Sequence, residues 1–161
     1  MKRVILIGGA PTAGKSHLAQ QLAESLKLPW ISTDSIREQM RKIVSKKDFP
    51  ALFQHANATP AMGAAYLRMH TPQEIIRQHN KENVEVWKGV KAFIETDYNW
   101  HSFIIEGIAI LPAQVAALKK KHPHVKVVFL IDENRARVRK TIFTRGLWDE
   151  AHKYPDSVKE K

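Results

Sequence analysis

Gly8-Gly9-Ala10-Pro11-Thr12-Ala13-Gly14-Lys15-Ser16 is the stretch from which the rest of this chain is read. From Gly9 onward it fits G-x-x-x-x-G-K-[ST] in full, with the apolar run Val4-Ile5-Leu6-Ile7 leading in and leucines at 18, 22 and 26 leading out at helical spacing. A strand, a Gly-rich turn and a helix in that order make an anion cradle: glycines let successive backbone N–H groups turn inward, and the helix start adds its positive dipole end. The expected phosphate-binding segment is Gly9, Ala10, Pro11, Thr12, Ala13, Gly14, Lys15, Ser16 and His17. In such a loop the lysine reaches the β- and γ-phosphates and the hydroxyl residue ligates Mg²⁺. Lys15 and Ser16 are therefore assigned those roles, with ATP and Mg²⁺ as the expected cofactors.

Outward from the loop, nearly continuous apolar runs at 3–7, 30–33, 102–105 and 126–131 predict four buried strands. Continuous rather than alternating apolar character is what a parallel sheet covered on both faces requires. Helical patterns separate the runs. Ile36, Met40, Ile43 and Val44 form one stripe, with Ser35 to Glu38 read as a capping box; Thr71 to Glu74 is a second box, with Pro72 at the first helical position. The helix it opens is expected to turn Ile76, Trp87, Val90 and Ile94 inward, and Pro112 starts a short helix with Val115 and Leu118. Alternating strands and helices predict an α/β fold of the P-loop NTPase, nucleotide-kinase-like type: a doubly wound parallel sheet with helices on both faces. The whole chain, 1–161, reads as one domain. Residues 35–100 are too long for a simple crossover and read as a helical, substrate-binding insertion. No fifth apolar run follows Ile131, so a fifth strand is not evident.

Ligands of open α/β sheets gather at the carboxyl ends of the strands, which singles out two acids. Asp34 follows the second strand, where a carboxylate can orient an acceptor hydroxyl or take its proton; Arg37, one helical turn on, can hold an anionic group of the same substrate. Glu106 closes the third strand, the usual place for an acid that holds Mg²⁺ directly or through water, and Gly107 lets backbone approach a ligand. Arg135, Arg137, Arg139 and Arg145 crowd a last helix, with no acid between Asn134 and Trp148 to pair them. An arginine-rich lid over the transferring phosphate, about 133–148, is the reading, with Arg139 and Arg145 as its catalytic members. The eight histidines form no ligand set; His55, His70 and His79 fall in the insertion, within reach of a substrate but more simply explained as core or surface positions.

The chain has no cysteine, so disulfides, zinc–thiolate sites and thiol catalysis are excluded. The N-terminal apolar run is too short for a signal peptide and no stretch is long enough to span a membrane; a cytoplasmic protein without membrane partners is expected. The net charge is +10, and residues 119–161 hold 12 Lys/Arg against 6 Asp/Glu. That bias favours anionic partners, but no aromatic-interleaved basic run or nucleic-acid module accompanies it.

Four segments resemble the 2-phosphoglycerate kinase group of small P-loop kinases: GGAPTAGKS (8–16), STDSIREQMRKIVS (32–45), ENVEVWKGVKAFIE (82–95) and FIIEGIAILP (103–112), in the same order and spacing, over roughly residues 1–135. The loop is generic; Thr33-Asp34-Ser35-Ile36-Arg37 followed by Met40-Arg41-Lys42-Ile43 is the specific part. The resemblance implies transfer of the ATP γ-phosphate to the hydroxyl of 2-phosphoglycerate, giving 2,3-bisphosphoglycerate. Ile108-Ala109 stands where Val-His is expected, which places the acceptor, not the fold, in question. A zeta-toxin-like kinase of a nucleotide, nucleotide-sugar or RNA, and a non-catalytic nucleotide-binding regulator, remain the alternatives. Oligomeric state is not encoded in any of these patterns.

Overall fold

The computed structural model describes residues 3–96, 102–144 and 155–160. Its centre is a four-stranded parallel sheet in the order β2-β3-β1-β4. The strands are β1 (Val4–Gly9), β2 (Trp30–Ser32), β3 (Phe103–Glu106) and β4 (Lys126–Leu130), each within a residue or two of the apolar run that predicted it. Between them lie α1 (Lys15–Leu26), α2 (Thr33–Ile43), a 3₁₀ turn (Pro50–Phe53), α3 (Pro60–Met69), α4 (Pro72–Glu95) and α5 (Pro112–Lys121); α6 (Arg135–Thr144) and α7 (Asp156–Lys159) follow β4.

Alternation of side chains along each strand divides the core in two. Val4, Leu6, Phe103 and Ile105 point to one face and meet Ile36 and Met40 of α2, Val86, Trp87, Val90 and Ile94 of α4, and Val115 and Leu118 of α5. Ile7 and Ile104 point to the other and meet Ala19 of α1, with Leu18 and Leu22 packed around them. Burying a side chain of this size contributes roughly 1.5–3 kcal/mol, so the larger layer, which includes the insertion, dominates stability.

Three expectations are corrected. α2 begins three residues earlier than a box at Ser35 requires: its cap is Ser32, whose hydroxyl accepts the Ser35 N–H at 3.0 Å. Strand β2 runs straight into Thr33, so Asp34 sits inside the first helical turn. Ile43 and Ile76 face solvent, at 83% and 60% exposure, because the stripes that pack are 36/40 on α2 and 82/83/86/87/90/94 on α4. The sheet is also covered unevenly. Val128 and Phe129 of β4, and Ile131 beyond it, are exposed; among the described residues β4 pairs only with β1, and α6 buries no residue. Among the described residues no fifth strand extends the sheet. The Thr71–Glu74 box and the Pro112 start are present as read.

Parallel register aligns the strand ends. Ile7 stands opposite Glu106, Ser32 opposite Glu106, and Gly9 opposite Leu130. The loop after β1, the first turn of α2 and the residues after β3 therefore share one edge.

Candidate active site

The loop between β1 and α1 folds as its glycines require. Gly14 caps α1 in the left-handed region, at φ 87°, where a residue with a side chain would be strained. Thr12 is left-handed as well, at φ 66°, and its hydroxyl is buried without a partner. Lys15 is 8% exposed and donates from Nζ to the carbonyl of Ala10 at 2.7 Å, closing the loop on itself. Burial lowers its ammonium from the ordinary 10.5, countered by the charges of Glu106 and Asp34. His17 is exposed at the third position of α1.

Ser16 donates its hydroxyl hydrogen to Oε1 of Glu106 at 3.1 Å. The two residues expected to hold Mg²⁺ thus already touch. Burial pushes the Glu106 carboxyl up from 4.5, against the Ser16 hydrogen bond and the Lys15 charge, which favour its ionised form. The donor set, one hydroxyl and one buried carboxylate beside a closed phosphate cradle, is hard-oxygen chemistry and fits Mg²⁺. An orphaned Thr12 hydroxyl inside the loop fits an acceptor-rich ligand such as a phosphate.

Gly107 has φ 149° and lies against Thr33: a Cβ there would stand 2.8 Å from the Thr33 Cβ and overlap its hydroxyl oxygen. Thr33 is buried, and that hydroxyl has no partner. The sequence suggested a glycine for ligand approach. The structure gives it a second task, seating the residue before Asp34 against the residue after Glu106. The Asp34 charge is felt at Lys15, Glu106 and Glu82, so the loop, both acids and the start of α2 share one electrostatic neighbourhood.

Arg37 pairs with Asp34 at 3.1 Å and with Glu38 at 3.2 Å, and lies 3.9 Å from Glu82. Arg41 is fully engaged: it donates to the Leu52 carbonyl at 2.5 Å, to Glu38 at 2.7 Å and to Glu82 at 2.8 Å. Glu82 was not identified from sequence. It is buried on α4, and burial raises its pKa above 4.5 while the two arginines oppose the shift. The available signal was its place in the inward 82/86/90 stripe, where an acid is seldom found unpaired.

The arginine helix is arranged differently from expectation. Arg137 forks onto Asp132 at 2.7 and 2.8 Å. Arg139 pairs with Glu160, the residue that caps the end of α7, and stacks on Phe143, with 4.3 Å from guanidinium to ring centre. The reading that these arginines lack acids fails because the chain beyond Trp148 supplies one. Among the described residues, the contacts of Arg139 are with Glu160 and Phe143, and neither belongs to the phosphate loop. Arg145 lies outside the described residues.

Similarity to known proteins agrees with this geometry. A family model described as an AAA domain matches residues 4–81. The 2-phosphoglycerate kinase of Methanocaldococcus jannaschii is 31% identical over 89% of this chain and 46% of its own length. That of Methanothermobacter thermautotrophicus is 34% identical over 90% of this chain and 48% of its own. The chain spans about half the length of both relatives. Among solved structures, a gluconokinase from Sinorhizobium meliloti 1021 superimposes with a TM-score of 0.54 at 15% identity, covering 99% of this chain and 71% of that one; at that identity the likeness is one of fold. Among the described residues, no helix is long and apolar enough to cross a membrane.

Proposed function

We propose that this chain, which is similar to 2-phosphoglycerate kinases over about 90% of its length, is an ATP-dependent phosphotransferase whose acceptor is the hydroxyl of a small anionic metabolite, with 2-phosphoglycerate the first candidate. The observation that carries this reading is the convergence of three groups at one sheet edge. They are the Lys15 loop, the Ser16–Glu106 pair at 3.1 Å, and Asp34, whose charge is felt at both Lys15 and Glu106. A nucleotide binder without turnover needs the first two and not the third.

When bound, Mg·ATP would supply the transferable phosphoryl group and a cation that offsets its charge. Gly9 through His17 would wrap the phosphates, with Lys15 exchanging its bond to Ala10 for phosphate oxygens. Ser16 and Glu106 would hold the cation, for which Glu106 must be ionised. Asp34 orients the acceptor hydroxyl and takes its proton as the new oxygen–phosphorus bond forms. The bond from the γ-phosphorus to the β–γ bridging oxygen breaks, and ADP leaves. Arg37, held by Asp34 and Glu38, faces the acceptor's anionic end. Gly107 gives the acceptor room beside the backbone. Arg139 and Arg145 serve this step only if α6 folds over the loop when substrates bind.

The test is Mg-dependent ADP release with a panel of acceptors, small hydroxy-acid phosphates against nucleosides and short RNA. Saturable phosphorylation of 2-phosphoglycerate, lost in Asp34→Asn and Arg37→Ala, supports the proposal. A hundredfold preference for RNA or a nucleoside, about 2.7 kcal/mol of transition-state discrimination, replaces it with the zeta-toxin-like reading. No turnover with any acceptor, with nucleotide binding intact, leaves a regulator.

A further inference from the structure

Five charged side chains form one network that runs from the acceptor side of the site into the insertion. Asp34 meets Nη1 of Arg37 at 3.1 Å, and Nε of Arg37 meets Glu38 at 3.2 Å. Glu38 accepts from Nη1 of Arg41 at 2.7 Å, and Nη2 of Arg41 donates to Glu82 at 2.8 Å. Glu82 also lies 3.9 Å from Nε of Arg37, so the network closes on itself. Asp34, Arg37, Glu38 and Arg41 all belong to α2; Glu82 alone comes from α4.

The members differ in their access to water. The side chains of Asp34 and Glu38 are 63% and 56% exposed, those of Arg41 and Glu82 are 13% and 9%, and Arg37 stands between at 25%. An exposed ion pair is weak and readily exchanged for water or another ion, whereas charges away from water are screened far less. A buried pair stays together, because leaving either partner alone is strongly unfavourable. Asp34–Arg37 is therefore the exchangeable contact and Arg41–Glu82 the fixed one. Arg41 is fixed further by the Leu52 carbonyl of the 3₁₀ turn, at 2.5 Å.

Phosphoryl transfer makes two demands on the exchangeable contact. Asp34 must offer an oxygen to the acceptor hydroxyl, and Arg37 must turn its Nη edge to the acceptor's anionic end. Both draw Nη1 of Arg37 away from Asp34. What Arg37 keeps is its Nε side, where the carboxylates are Glu38, on an exposed side chain, and Glu82, on a buried one. Without the Glu82 charge, Asp34 and Glu38 are the remaining carboxylates at Arg37 among the described residues, and the guanidinium holds Asp34 more tightly.

We propose that Glu82 is a positioning residue for phosphoryl transfer, the buried counter-charge that keeps Arg37 in place while its contact with Asp34 is exchanged for the acceptor. The proposal rests on the phosphotransferase reading, with Asp34 and Arg37 as its acceptor-side groups. Glu82 touches no substrate. It acts on Arg37 directly, and through Arg41, which holds Glu38, the second carboxylate at the Arg37 Nε. Burial pushes the Glu82 pKa up and its two arginines hold it down; the role uses the ionised form.

The experiment is Glu82→Gln, which keeps the shape and an oxygen for Arg41 and removes the charge. Three carboxylates stand against two guanidiniums in the network, so the substitution removes its one excess negative charge. An anionic acceptor should then bind no worse, while the misplaced Arg37 slows turnover. With saturating Mg·ATP and 2-phosphoglycerate, or the acceptor that the panel selects, kcat should fall about tenfold or more. KM for the acceptor should be unchanged or lower, and the melting shift given by Mg·ATP unchanged. An ion pair that only tied α2 to α4 would give a lower melting temperature and a raised KM with kcat preserved. That pattern, or an unchanged kcat, would overturn the proposal.

A second readout needs no turnover. Nε–H of Arg37 donates to Glu38 at 3.2 Å, and its NMR signal is assigned from Arg37→Lys. In the ligand-free protein its exchange with water should be several-fold faster in Glu82→Gln than in the parent; equal exchange counts against the proposal. Where Glu82→Gln fails to fold, the parent decides. On adding 2-phosphoglycerate or inorganic phosphate to the Mg·ADP complex, the Nη signals of Arg37 should move and the Nε–H signal should stay protected; loss of that protection, or unmoved Nη signals, overturns the idea. If no acceptor is phosphorylated, the function reading falls, and the exchange comparison still decides whether Glu82 positions Arg37.

Discussion

Gly107→Ala should damage the fold and the chemistry through one contact. At φ 149° a non-glycine residue is strained, and the new Cβ would meet the Thr33 side chain, 2.8 Å from its Cβ and 3.0 Å from its Cγ2. Thr33 is buried with no room to turn away. Backbone strain of this kind costs about 1–3 kcal/mol, and overpacking costs a further 1–3 kcal/mol or so. At the lower end of the sum, about 2 kcal/mol, a chain of this size loses roughly 4–8 °C in melting temperature. Thr33→Gly removes the steric half and leaves the backbone half, so the double variant should recover part of the loss. The coupling in that cycle should be at least about 1 kcal/mol. Because Thr33 precedes Asp34 and Gly107 follows Glu106, the single variant should also lower kcat more than nucleotide affinity. Circular-dichroism melts of the four proteins, with turnover on the best acceptor, measure both effects. A Gly107→Ala protein melting within a degree of the parent, or a cycle with no coupling, would refute the idea that this contact joins the two acids.

Lys15→Ala should abolish the stabilisation given by Mg·ATP, which at a hundredfold excess over Kd is about 2.7 kcal/mol, or roughly 5–11 °C by differential scanning fluorimetry; a retained shift contradicts the phosphate-loop assignment. Asp34→Asn should keep that shift and lose about 10²–10⁴ in kcat, and turnover at the parent rate removes Asp34 from the mechanism. Burial raises the Glu106 pKa above 4.5 in the folded state, so its contribution to stability is complete below the unfolded value and is lost as pH rises through the folded one. Melts of the ligand-free protein should decline over that interval, and less steeply in Glu106→Gln; equal slopes would discount the shift. Arg139→Ala should slow phosphoryl transfer only if α6 closes over the loop, whereas Glu160→Ala, which frees the Arg139 guanidinium from its partner, should not; equal slowing by both would mark the pair as structural.

How much of this was legible depends on whether a residue's role is local. The phosphate loop was, because Gly14 and Lys15 are dictated by backbone conformation and spacing. The strands were, because continuous apolar runs have no other use in a sheet of this kind; β4 is the exception, its Val128 and Phe129 as apolar as the rest and yet exposed. Periodicity does not report whether a covering element exists. The cap of α2 was misplaced because Ser32 and Ser35 are both good caps, and only the abrupt passage from β2 to helix selects the first. For the candidate site, Asp34 and Glu106 are singled out by their place at strand ends. Glu82, the Thr33–Gly107 contact and the Arg139–Glu160 pair were not, since each depends on packing between segments 21 to 74 residues apart.

The location of the charge also alters the electrostatic reasoning. A net charge of +10 suggested a basic cleft, but the described cations nearest the acids are already answered: Arg37 by Asp34 and Glu38, Arg41 by Glu38 and Glu82, and Lys15 by the fields of Glu106 and Asp34. Much of the excess lies in the last quarter of the sequence. Long-range attraction can steer an anion towards the protein, but it does not hold one in the site. Holding requires charge that appears with the ligand. One source fits that requirement: a divalent cation at Ser16 and Glu106, entering with the nucleotide. The acceptor should therefore bind more tightly to protein carrying nucleotide with Mg²⁺ than to protein carrying nucleotide without it; equal calorimetric affinities would separate the two ends of the site.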